Sequence, residues 1–90
     1  MLTPERTTSF KKSYKRCKKR GYDMAEIDAI MVLLIKQQPL PKRCKPHKLK
    51  GQLAGFWDCH VKDDWVLIYR YDYEQNLIIF EDTGTHSDLF

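Results

Sequence analysis

The sequence predicts an α+β fold, with an N-terminal helical hairpin packed on a small, mainly antiparallel sheet. Three observations lead there. Apolar residues recur at helical spacing through the first 36 positions, apolar and aromatic runs broken by turn residues fill the last third, and the two patterns do not alternate. With 90 residues, 42% of them hydrophobic and 31% charged, the chain is expected to form one globular domain over 1–90.

Residues 5–8, with two threonines, read as a short first strand. From Ser9 the period changes: Phe10, Tyr14 and Cys17 fall at i, i+4 and i+7, predicting a helix over 9–20. Lysines and arginines fill its other faces, and Gly21 is a C-terminal stop. A second helix is expected over 24–36. Asp23 is its N-cap, Glu26 would complete a capping box, and Ile27, Ile30, Met31, Leu34 and Ile35 form the core stripe before Pro39 ends the helix. The short link at Gly21-Tyr22 predicts that the two helices pair antiparallel.

Residues 39–52 read as a loop with three prolines, five basic residues and His47. A loop near the ~12–15-residue limit usually has a functional role in so small a domain. Strands are expected at 54–60, 64–71 and 76–82, the last two joined by a turn around Asp72–Gln75. Thr83-Gly84-Thr85 then breaks the pattern before His86.

Charge is unevenly placed. Residues 1–50 hold 14 Lys+Arg against 4 Asp+Glu, and residues 51–90 hold 2 against 8. The basic half suits an anionic partner such as nucleic acid; the plainer reading is a solvated helix face. No run approaches the ~18 apolar residues of a membrane span and no signal-peptide pattern opens the chain, so a cytosolic protein is expected. The three cysteines, an odd number without a C-x-x-C pair, read as reduced thiols.

The three histidines, His47, His60 and His86, all fall on loops or strand ends, and Asp64 stands across a predicted turn from His60. Three chemistries compete for them. Zinc has candidate ligands in Cys44, His47, Cys59 and His60, but Cys59 and His60 are strand neighbours whose side chains point to opposite faces. A nucleophilic Cys59 is disfavoured because it is in phase with Trp57 and Val61, an apolar set facing the helices. Acid/base cleavage of RNA through its own 2′-hydroxyl needs no metal and no cofactor. It needs a base, an acid and positive charge, and histidine titrates in the right range for both proton transfers. Lys48 and Lys50 beside His47 would meet phosphate, while Trp65 and Phe90 are candidates to stack on bases.

These residues sit in recognisable motifs. His47-x-Leu49-x-Gly51, Phe56-x-Asp58-x-His60, Asp64-Trp65-x-Leu67-Ile68-Tyr69 and Gly84-Thr85-His86-x-x-Leu89-Phe90 together resemble the YafQ-type toxins of the RelE/ParE superfamily. The resemblance runs from the helical hairpin to the last residue. It implies an endoribonuclease toxin of a type II toxin–antitoxin system that cuts mRNA in the ribosomal A site. Its partners would be the ribosome, mRNA and a cognate antitoxin that blocks it and joins in repressing the operon. It also implies that His86 is the general acid, that Asp64, His60 and His47 share general-base and transition-state roles, and that Phe90 orients the RNA. Two positions depart from the pattern: Trp57, where relatives often carry arginine, and Asp63, which replaces a common proline. Asp63 would loosen the turn and raise the pKa of Asp64 if the carboxylates approach closely. A non-enzymatic toxin of the same fold, binding a protein target such as gyrase, is the rival reading; a basic RNA-binding module without catalysis is a third.

Overall fold

The computed structural model describes residues 1–90. A first strand, β1 (Thr3–Arg6), leads into helices α1 (Thr8–Lys19) and α2 (Met24–Ile35). The chain then crosses two short 3-10 turns, Lys42–Cys44 and Gly51–Leu53, which flank a two-residue strand, β2 (His47–Lys48). A meander of β3 (Trp57–Lys62), β4 (Trp65–Asp72) and β5 (Leu77–Thr85) ends in a one-turn helix, α3 (His86–Leu89). The sheet order is β1-β5-β4-β3-β2, with only the β1–β5 pair parallel. The α+β expectation and its mainly antiparallel sheet hold.

Local chemistry accounts for where the elements start. Thr7 caps α1, its hydroxyl accepting from Phe10 N–H at 2.9 Å. That moves β1 two residues earlier than the threonines suggested, since one threonine is a cap and the next already helical. Asp23 caps α2 by accepting from Ala25 N–H. The expected capping box with Glu26 is absent, because the Glu26 carboxylate turns toward Arg43, 3.7 Å away. The hairpin is tied by Tyr14 O–H donating to Asp28 at 2.8 Å.

Strand alternation divides the sheet into two faces. Cys59, Val61, Trp65, Leu67, Tyr69, Ile78 and Phe80 point to the helices, where Phe10, Cys17, Ile27, Ile30, Met31 and Leu34 complete the core. The intervening positions, Asp58, His60, Val66, Ile68 and Ile79, belong to the opposite face. Cys17, Cys44 and Cys59 are all free and buried. Two sequence expectations are corrected here. β5 continues through Thr83-Gly84-Thr85, because its pairing with β4 runs to Trp65–Thr85. The 39–52 segment is partly ordered by β2, which pairs with β3.

Candidate active site

Register brings the site together. Trp65 pairs with Thr85, so the residues just beyond that last rung, Asp64 in the β3–β4 turn and His86 at the start of α3, fall side by side. His86 Nδ1 is hydrogen-bonded to Asp64 Oδ1, which also accepts from the His86 backbone N–H at 3.4 Å. Those two bonds, ring first and backbone second, hold the Asp64 carboxyl below the ordinary carboxylate range. Asp63 is no source of the expected upward shift. With φ of 50° it takes a left-handed conformation closed to proline, so the turn here cannot be the one a proline would build.

His60 pairs with Val66, and Val66 with Gly84, two residues before His86. The His60 and His86 rings therefore face each other with centroids 5.8 Å apart. On the far side of His86 the Phe90 ring lies 5.9 Å away and is 58% exposed. His47 joins the same face from β2, opposite Asp58. Its Nε2 stands 2.9 Å from Asp58 Oδ1 and its Nδ1 3.1 Å from Lys45 O. Both ring nitrogens thus meet oxygen acceptors.

Asp58, a motif position to which the sequence assigns no role, joins the site through His47. It is only 6% exposed, and its Oδ1 lacks a well-aligned donor, with His47 Nε2 close but off axis. A carboxylate in phase with His60 on a predicted strand was the available signal.

What holds His86 is a clamp on α3. A single helical turn does not sustain itself. Here Thr85 and Asp88 form a reciprocal capping box, and Arg20 at the end of α1 grips Asp88 with two bonds of 2.7 and 3.1 Å. Arg20 and then the Thr85 N–H hold the Asp88 carboxyl well below its usual range. Gly84 makes room: a Cβ there would lie 2.7 Å from Asp88 Oδ2. His86 therefore begins a helix instead of lying on a loop.

Two expected substrate contacts sit differently from His47 and His86. Trp65 is 5% exposed, packs on Tyr22 at 4.9 Å and donates from Nε1 to Thr83 Oγ1 at 2.9 Å, so its face is not free to stack on a base. Lys48, next to His47 on β2, projects to the other face, its Nζ 5.5 Å from the Trp57 ring centroid. Lys50 stays exposed in the loop. Cys59 is fully buried, and burial pushes its thiol up to about 12, which leaves it no nucleophilic thiolate at neutral pH.

The mixed sheet with helices on one face is the fold of small bacterial toxins, as comparison with known proteins shows. The chain matches the family of bacterial toxins of type II toxin–antitoxin systems, YafQ, over residues 2–90, and it belongs to that family. It is 41% identical over 87 residues to the mRNA interferase toxin YafQ of Escherichia coli K12, covering 96% of this chain and 92% of the relative. It superposes on the toxin in the E. coli DinJ–YafQ complex with a TM-score of 0.89 at 40% identity, covering 100% of this chain and 99% of the other. A metal-bound toxin from Helicobacter pylori gives a TM-score of 0.94 at 37% identity, with both chains fully covered.

Proposed function

We propose that the chain is an mRNA interferase that cuts ribosome-bound mRNA by acid/base chemistry through the RNA 2′-hydroxyl, and that a cognate antitoxin protein neutralises it and co-represses its operon. The observation that carries this reading is the His86–Asp64 couple facing His60 across 5.8 Å. Asp64 fixes the His86 ring through Nδ1 and supports the charge it carries when both nitrogens hold protons, which leaves Nε2 to protonate the departing 5′-oxygen. His60, opposite, accepts the 2′-hydroxyl proton. The oxygen so activated attacks the adjacent phosphorus, the P–O5′ bond breaks, and a 2′,3′-cyclic phosphate remains on the upstream product. His47, with Nε2 2.9 Å from Asp58 Oδ1 and Nδ1 3.1 Å from Lys45 O, supports the transition state from the neighbouring strand. Phe90 stacks on the substrate beside His86. Acting on ribosomes, such a toxin works in the cytoplasm.

The test is cleavage of a synthetic mRNA on programmed ribosomes, with end-group analysis. His86→Ala is expected to lower the cleavage rate by about 10²–10⁴-fold, the usual contribution of one acid/base group. Circular dichroism should stay native, because His86 is exposed. Full activity in folded His86→Ala rejects the mechanism. DNA breaks in induced cells without new mRNA ends would favour the gyrase-type rival.

A further inference from the structure

A recess of about 330 Å³ opens beside His60 and is lined by Arg43, Lys45, His60, Val61, Lys62 and Asp63. We infer that this recess is a phosphate subsite, holding the RNA backbone phosphate next to the one being cleaved. The inference rests on the reading of the chain as an RNA-cleaving toxin.

Its construction supports a fixed anion site more than a solvated basic patch. The β3–β4 ladder shifts register between His60 and Lys62, which places a bulge at Val61. A bulge leaves backbone groups off the ladder and bends the strand, and such features cluster beside active sites. Arg43 takes up the Val61 carbonyl, donating from Nη1 at 2.8 Å. That bond and the ion pair with Glu26 at 3.7 Å anchor an otherwise long, mobile side chain. Arg43 also lines the recess, and a planar, anchored guanidinium suits phosphate geometry.

Lys45 approaches from the 3-10 turn, where it adopts a left-handed φ of 43°, and its carbonyl meets His47 Nδ1 at 3.1 Å. Lys62 ends β3, two residues beyond His60 and on the same strand. Three cations thus line the recess against one carboxylate, Asp63. No lysine or arginine bonds the His86–Asp64 couple, so this is the cationic group that adjoins the proposed base directly. A phosphate seated here would set the strand's register and bring the next 2′-hydroxyl to His60. A uniform basic face would not.

Lys62→Ala is the clean probe, since Arg43 also serves the bulge. Synthetic mRNAs carry a neutral methylphosphonate at one backbone position at a time around the cut, and KM and kcat are measured on programmed ribosomes. For wild-type protein KM should rise about tenfold, with kcat within threefold, when the adjacent phosphate is neutralised; one charge-assisted contact has roughly that worth. Lys62→Ala should show a rise of several-fold with normal mRNA and a clearly smaller further rise with that methylphosphonate than wild type shows, because it removes one of the phosphate's three cations. Lys36→Ala, outside the recess, should keep the full methylphosphonate penalty. If the Lys62→Ala and methylphosphonate penalties simply multiply, the subsite is wrong. If Lys62→Ala weakens binding to ribosomes lacking mRNA while the methylphosphonate penalty is undiminished, the cations face ribosomal RNA and the proposal falls. Wild-type protein leaving unmodified mRNA uncut would instead remove the RNA-cleavage reading, and the subsite with it.

Discussion

Replacing Thr83 by valine changes almost no volume and removes one hydroxyl, yet the structure gives that hydroxyl two tasks. It accepts from Trp65 Nε1 at 2.9 Å and donates to Val66 O at 2.8 Å, with Thr83 itself 0% exposed. Thr83→Val strands a buried indole N–H, which costs about 1–2 kcal/mol, and deletes a hydrogen bond worth about 1 kcal/mol. The expected loss is therefore about 2–3 kcal/mol. That is a large fraction of the ~5–13 kcal/mol expected of a 90-residue domain, and it should lower Tm by about 10–20 °C. Trp65→Phe removes the donor instead, so Thr83→Val made in that background should cost only about 1 kcal/mol. Urea denaturation of the four proteins in this double-mutant cycle measures the difference, an expected coupling of about 1–2 kcal/mol. Below their transitions all four should cut mRNA within a few-fold of one another, since Trp65 is buried against Tyr22 at the end of the sheet. Additive penalties would refute the hydrogen-bond argument. A folded Trp65→Phe protein with cleavage abolished would restore the indole as an RNA contact.

Two further outcomes follow from the titrating groups. Asp88 has a folded pKa held below its unfolded value of about 3.9, so the α3 clamp stabilises fully above that pH and is lost as pH falls further. The gap in urea midpoint between wild type and Asp88→Asn should thus be constant near neutrality and close below about pH 4; a gap unchanged at pH 2 would contradict the clamp. Cys59, with its thiol pushed up to about 12 and no exposure, should not react with a disulfide reagent at pH 8 until the protein unfolds. Rapid labelling of native Cys59 would show that the β3 core face opens.

Much of the site was legible because strand periodicity is simple. His60 and Asp64 around one turn, Cys59 on the opposite face and the apolar stripe of α2 all follow from spacing alone. The faces that Trp65 and Lys48 occupy depend on strand pairing that spacing alone does not give. Side-chain type suggests stacking or phosphate binding, but the face a residue occupies depends on which partner strand it pairs with. Lys48 faces away from His47 because neighbouring side chains alternate along a strand, and β2 exists as a strand only through its pairing with β3. Asp58 was passed over because nothing local marks a carboxylate for burial; the edge strand carrying His47 covers it.

The amino-acid sequence by itself determined the α+β order, the reduced cysteines, the basic first half and the histidine–carboxylate inventory. These depend on local propensity, period and composition, which are properties of neighbouring residues. Only the tertiary structure decided how that inventory is joined: His86 to Asp64 across the last rung of β4–β5, His47 to Asp58 across β2–β3, and Arg20 to Asp88 across 68 positions of chain. It also made α3 a helix. One turn has too little cooperativity to form alone, and it exists because an arginine from α1 and a capping threonine meet at its single acidic residue.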